Sequence, residues 1–316
     1  MEKLVEREDA PRSPLLAAPA LAVQFFLIPL TVVAVTVLVY VGFRSLLNDS
    51  RSADNYLMEI RTGGSERRWP AAYELSRLMA DPEVRSNRAL APALVEAFER
   101  AKDDDPRVRR YLALAIGRLD PPLPKEAVAA LTKALNEPEV RYSPDWFSRI
   151  AGATDSEEGE ARISTIWALG SSGDASVVAT VEPFYKSPDA GVRKMVVYAL
   201  GALPGNAQLP TLREAVRDPE ADVRWNAAVA LARHGSADGV PVLEQMLDRS
   251  YLEQIVKRDV RPDAEIDPVG EVMISGLRAA AALKAPSLKS SMETISQHDP
   301  NMKVRQAALE ALKAIG

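Results

Sequence analysis

Few side chains in this 316-residue chain are equipped for covalent or metal chemistry. It has no cysteine, which excludes a disulfide framework, thiolate metal sites and a thiol nucleophile. His234 and His298 are its two histidines, and neither has a second histidine near it in sequence. That is a poor basis for a His-ligated metal or a Ser-His-Asp triad. Asp103, Asp104 and Asp105 could offer oxygens to a hard cation. The run falls at the start of an expected helix, however, where carboxylates answer the helix dipole. Glu157, Glu158 and Glu160 read as a solvated loop. No Gly-rich phosphate loop, Gly-x-Ser-x-Gly elbow or His-Glu-x-x-His pair occurs. Catalytic residues, metal, cofactor and small-molecule substrate are therefore not expected.

The sequence does carry recognition chemistry. Tyr142, Trp146 and Phe147 stand close together in a stretch otherwise made of turn and charged residues. Tyr251, Ile255, Lys257, Arg258 and Arg261 form a second such group. Exposed aromatics and arginines are the composition of binding hot spots. Tyr142, Trp146, Phe147, Tyr251, Arg258 and Arg261 are thus candidate partner contacts; the alternative is that they cover an apolar stripe of the body itself. The net charge of −5 argues against nucleic acid as the partner. Residues 1–43 contain three cations and four carboxylates, which leaves −4 for the rest. A body of that sign has no reason to lie on anionic lipid.

Self-comparison shows what must position these residues. A β-branched or small residue followed by Arg recurs ahead of an Ala-Leu or Ala-Ile pair. The copies are Val108-Arg109 with Ala115-Ile116, Ala161-Arg162 with Ala168-Leu169, Val192-Arg193 with Ala199-Leu200, Val223-Arg224 with Ala230-Leu231, and Val304-Arg305 with Ala311-Leu312. A degenerate copy runs from Ser275 to Leu283, and another ends at Leu75. Starts at 108, 161, 192, 223, 275 and 304 are spaced by 53, 31, 31, 52 and 29 residues. The period is about 31, and the two long gaps are one period plus an insertion. The insertions fall within 141–159 and 251–269, each between the second helix of one pair and the first helix of the next. In the best copy Val223, Ala227, Ala230 and Leu231 share one helical face. A turn follows, and Val240–Leu247 predicts the second helix, with Pro241 suited to its first turn. Asp218 reads as the N-cap of the first helix. One pair cannot bury its own stripe, so the pairs must stack.

The run Asp-Pro-x-x-x-Val-Arg-x-x-Ala-Ala-x-Ala-Leu at Asp218–Leu231 resembles a HEAT repeat, of the short type also seen in phycobilisome-lyase-like proteins. The resemblance covers about residues 65–316. It implies an all-α fold: a solenoid of about six to seven HEAT-like helix pairs. It also implies a ladder of hydrogen bonds between layers from an Asp and an Arg six apart. Asp103/Arg109, Asp218/Arg224 and Asp299/Arg305 match that pattern, whereas Ser187/Arg193 and Ser156/Arg162 depart from it. The ladder is expected to weaken in the middle. Arrays of this family mainly hold other molecules, so the expected function is a non-catalytic scaffold or accessory subunit that binds a protein partner, within a membrane complex. The alternative implied by the resemblance is a phycobilisome-lyase-like accessory that handles a chromophore or cofactor. Val304–Ile315 supplies a first helix without its partner, and its apolar edge is expected to fold back on the preceding pair or be capped by another molecule.

Ahead of the repeats, Leu21–Phe43 is a run of 23 residues with no formal charge. As a helix it reaches about 34 Å, against a bilayer core of about 30 Å. It is longer than a signal-peptide core, and no small-x-small site follows it. The expected organisation is a head at 1–20, a single transmembrane helix at 21–43 in the lipid bilayer, a linker at 44–64 and the solenoid from 65. The expected location is the cell (inner) membrane. Lys3, Arg7 and Arg12 before the run balance Arg44, Arg51 and Arg61 after it, so the basic residues choose no orientation.

Overall fold

The computed structural model describes residues 28–47, 51–137, 156–256 and 267–316. It divides into two units, Met1–Ser52 and Ala53–Gly316. In the first, helix α1 spans Ile28–Leu47. All its described side chains, 28–42, are exposed, and Leu30, Val32, Val33, Val35 and Leu38 place apolar surface on every side of it. Residues 21–27 of the expected span lie outside the described residues, as do the side chains beyond 42. Among the described residues no helix is long and apolar enough to cross a membrane.

The second unit is helical throughout its described length. The expected linker at 44–64 is shorter than that: Ala53–Thr62 forms helix α2, which packs on the two helices after it. Ala53, Leu57 and Ile60 recur at i, i+4 and i+7 and are buried, so the body begins at Ala53 rather than at 65. Helix pairs follow: α3 (Ser65–Leu78) with α4 (Leu90–Arg100), α5 (Pro106–Gly117) with α6 (Lys125–Asn136), and α7 (Ser156–Gly170) with α8 (Val178–Val181). A 3-10 turn, Glu182–Lys186, prolongs α8. Then come α9 (Ala190–Ala202) with α10 (Leu209–Ala215), and α11 (Ala221–Arg233) with α12 (Val240–Met246). After the short α13 (Arg249–Ile255) come α14 (Pro268–Leu283) with α15 (Lys289–His298), and finally α16 (Met302–Ile315).

The recurring motif marks the first helix of each pair, and local chemistry starts these helices. Asp105, Asp189, Asp267 and Asn301 each accept a hydrogen bond from a first-turn amide of α5, α9, α14 and α16. Pro106 and Pro268 open α5 and α14, where a missing N–H costs nothing. The motif's Ile or Leu is fully buried at Ile116, Leu169, Leu200 and Leu231. Leu312 of α16 is only half-buried; α16 packs on α14 and α15 and leaves Met302 and Leu309 exposed.

First helices lie side by side in one row, α3, α5, α7, α9, α11, α14 and α16, each touching the next. The glycine after the Ala-Leu pair sets how close they come. A Cβ on Gly117 would stand 2.8 Å from the Ala168 Cα, one on Gly170 2.7 Å from the Ala199 Cα, and one on Gly201 2.5 Å from the Ala230 Cβ. The alanine that each glycine meets belongs to the next copy of the motif, so the Ala-Leu-Gly triplet forms a staircase with no space for added atoms.

Gly170→Ala is expected to cost about 1–3 kcal/mol through overpacking. Leu231→Ala is expected to cost about 2–5 kcal/mol through a cavity. Gly159, also helical, has nothing within 4 Å of a built Cβ. Gly159→Ala should therefore stabilise by about 0.5–1 kcal/mol. Denaturant melts of the three variants check the set; equal effects at Gly159 and Gly170 would refute the staircase.

Candidate functional site

Of the sequence-derived partner contacts, Tyr142, Trp146, Phe147, Arg258 and Arg261 lie outside the described residues. Tyr251 is on α13, half-buried, and its hydroxyl donates to the Gln245 side-chain oxygen at 3.3 Å. The ends of both insertions are described, and ion pairs hold them. At the first, Glu137 receives Arg109 at 2.9 Å and Lys102 at 3.2 Å, and Glu160 receives Arg110 at 3.0 Å. At the second, Arg249 reaches Asp267 at 3.1 Å, and the Asn301 amide donates to the same carboxylate at 2.8 Å. Arg249 also makes a two-pronged pair with Asp299, both bonds 2.9 Å.

These contacts belong to the ladder, and its register differs from the expected one. Arg224 and Arg305 do turn back six residues, but to the main-chain oxygens of Asp218 (2.7 Å) and Asp299 (2.8 Å). A carbonyl serves whatever the side chain, so Arg193 binds Ser187 and Pro188 oxygens in the same way, at 3.1 and 3.0 Å. The carboxylate instead answers an arginine of the preceding layer. Arg68 pairs with Asp104 at 2.7 Å, Arg109 with Glu137, Arg193 with Asp218, and Arg249 with Asp299. The ladder acid of the early layer is Asp104, while Asp103 is exposed and Asp105 caps α5. The middle does not weaken: Arg193–Asp218, at 2.9 and 3.0 Å with side chains 13% and 2% exposed, is the most enclosed of the described ion pairs. Asp218 also accepts from the Tyr185 hydroxyl and from the Glu220 amide. Its carboxylate is thereby spent in the turn ahead of α11, which starts at Ala221, and Asp218 is not that helix's N-cap. Among the described residues no His/Cys/Asp/Glu group could hold a metal ion.

Burial pushes the Asp218 carboxyl up, but hydrogen bonds from Arg193 and the Glu220 amide, with the guanidinium charge, outweigh it and leave it below the ordinary 3.8. At Asp267 burial is likewise outweighed, by Asn301, the Gly270 amide and Arg249. Tyr185 is pushed up to about 12 by burial and by the Asp218 charge.

Recognition surface missed at the sequence level lies along the first-helix row. Tyr111, Trp167, Tyr198 and Trp225 sit three, six, six and two residues after the motif's first position. At about 100° per residue these offsets fall between about 200° and 300°, away from the core stripe. Tyr73 of α3 meets Tyr111 edge-on at 5.1 Å, and Arg77 and Arg110 lie over the two rings. Farther along, an open groove of about 350 Å³ crosses α9, α11 and α14. Met195, Tyr198, Trp225, Val229 and Val272 line it, and Lys194, Asp222 and Glu271 are its charged groups. Lys194 reaches Asp222 at 3.2 Å across the first two helices. Glu271 also borders the next hollow, between α14 and α16. Such a surface can seat a chain with apolar side chains; the signal that could have found it is an aromatic in successive copies on one helical sector.

A ladder carboxylate depressed when folded stabilises above its unfolded pKa, and that stability is lost as pH falls through the folded value. The melting-temperature gap between the native chain and Asp218→Asn should be present at pH 7 and shrink below about pH 4. Arg193→Met, which strands a buried carboxylate, should cost about 3–5 kcal/mol at pH 7. A gap that is constant with pH would remove Asp218 from the ladder.

Among solved structures, the chain is similar to an engineered protein at 17% identity, covering 84% of this chain and 96% of that one with a TM-score of 0.40. A designed armadillo repeat protein in complex with a peptide shares 16% identity over 84% of this chain and 100% of its own (TM-score 0.42). Human deoxyhypusine hydroxylase in complex with glycerol shares 18% over 83% and 95% (TM-score 0.33). No curated protein matches the chain. The model of the HEAT repeats matches residues 148–224 and 205–260, the stretch that holds the Arg193–Asp218 rung and two steps of the glycine staircase. Residues 148–260 thus match HEAT repeats, within a described body that is all-helical and solenoid-like.

Proposed function

We propose that this chain is a membrane-anchored, non-catalytic scaffold whose HEAT-repeat body holds a protein partner, within a membrane complex. The observation that carries the scaffold role is the aromatic-bearing groove across successive first helices. Repeat arrays use such continuous surfaces to hold other chains. The anchor rests on α1. A helix apolar on every side has to be buried in a large protein or in lipid, and none of its described side chains is buried. Its residues 28–43, with residues 21–27, make up the uncharged 23-residue run that suits a bilayer. The cell membrane is accordingly the proposed location.

Alkaline extraction of native membranes tests the anchor. The chain should remain in the pellet, and Val33→Arg, which adds about 2.5–3.5 kcal/mol to insertion, should move a large share to the supernatant. Extraction of the native chain would end the anchor reading. Crosslinking in intact membranes, followed by mass spectrometry, tests the scaffold: one recurrent protein partner is expected, and its absence counts against the role.

A further inference from the structure

We infer that the hollow between α14 and α16 is a self-association face, and that its occupant is the same face of a second copy of this chain. The inference goes beyond the scaffold reading and does not rest on it. The hollow is open and measures about 450 Å³. The N-cap of α16, Asn301, donates to the N-cap of α14, Asp267, so the two helices start side by side and run parallel. Four exposed charged side chains surround the hollow: Glu271 and Arg278 on α14, Lys303 and Glu310 on α16. On each helix the two charges are seven residues apart, which puts them on one face, about 10 Å from each other. The order is reversed between the helices. α14 carries acid then base and α16 base then acid, so the signs alternate around the hollow.

Earlier layers of the row close such charges into pairs, as Arg110 does with Glu160 and Lys194 with Asp222. None of the four here has an ion pair among the described residues; Glu310 only accepts from the Gln306 amide at 2.8 Å. A phosphate, an anionic lipid headgroup or a peptide of one sign meets two like and two opposite charges there and gains nothing net. A copy of the face does better. Two such faces are related by a twofold axis lying in their plane of contact. With the axis along the helices, Glu271 meets the partner's Lys303 and Arg278 meets the partner's Glu310. With the axis across them, Glu271 meets the partner's Arg278 and Lys303 meets the partner's Glu310. Either way no like charges face each other, and each contact occurs twice. Met302, at 74% the most exposed of the described large apolar side chains, lines the hollow with Ile274 and Ala307 and supplies the apolar part of the contact. The face is about 20 Å on a side, smaller than one partner's share of a standard interface, so the dimer is expected to be reversible.

The test is sedimentation of the full chain in detergent micelles, with charge reversals at these exposed positions. The native chain should sediment as a concentration-dependent mixture of one and two copies, and added salt should shift it toward one. Glu271→Lys with Glu310→Lys makes the face wholly basic; Arg278→Glu with Lys303→Glu makes it wholly acidic. Each variant alone should self-associate more weakly by about tenfold or more. An equimolar mixture of the two should recover the native association, which a misfolded variant could not do. A native chain that stays single up to about 100 μM, variants that pair as the native chain does, or a mixture that stays single each overturns the inference. Pairing through α1 would survive both reversals and so belongs to the second of these outcomes.

Discussion

The close approach of successive first helices is the constraint from which the rest of the body follows. At Gly117, Gly170 and Gly201 the neighbouring helix comes so near that even one carbon has no space. At Gly170 and Gly201 only an alanine fits opposite, whereas at Gly117 the Trp167 ring also lies in the seam, 2.6 Å from a built Cβ; other bulky side chains lie on either side of it. On one side the motif's Ile and Leu residues fill the interior with the second helices. On the other, Tyr111, Trp167, Tyr198 and Trp225 spread over the row. The groove is thus a consequence of the packing rule: backbones that almost touch leave the aromatic edge as the place where volume is unfilled. α11 shows both outcomes, since Val223, Ala227, Ala230 and Leu231 join one core cluster and Trp225, Ala228 and Ala232 the next.

Apolar packing alone would let such layers slide along one another. The arginines oppose sliding through directional bonds, made by some to their own turn, as Arg224 and Arg305 do, and by others to a carboxylate of the next layer, as Arg109 does. Arg193 does both at once, with Ser187 and Pro188 oxygens behind it and Asp218 ahead. A pair this enclosed gains little net stability against its desolvation, and its worth is in fixing register. The insertions are spliced into that system without breaking it. Glu137 replaces the aspartate where the first departs, and Arg249 bridges the ends of the second to Asp299, 50 residues along the chain.

Much of this was legible in the sequence. The period near 31, the helix pairs and the insertion sites follow from one short motif, because its buried Val, Ala and Leu positions tolerate few alternatives. The ladder's direction was not legible. An interval of six residues is visible within a copy, whereas the bonds join Arg68 to Asp104 and Arg193 to Asp218 across layers. Asp103 and Asp104 are equivalent in composition, and only the reach of Arg68 separates them. Helix α2 was missed because its buried positions, Ala53, Leu57 and Ile60, are set among Asp54, Asn55, Glu59, Arg61 and Thr62, while its other apolar residue, Met58, faces outward. The groove escaped notice because its aromatics occupy offsets of two, three and six, which coincide on a helix but not on a line.

Ladder and groove meet at one helix. α14 contributes Glu271 and Val272 to the groove, and its N-terminus is capped by Asp267 through the Gly270 amide. Asp267 is in turn gripped by Arg249 from one end of the insertion and by Asn301 from the layer that follows. A Cβ on Gly270 would fall 2.5 Å from the Asp267 carboxylate, so the cap leaves the first turn no slack. The position of the groove's acidic wall is therefore set by the clasp that closes the insertion.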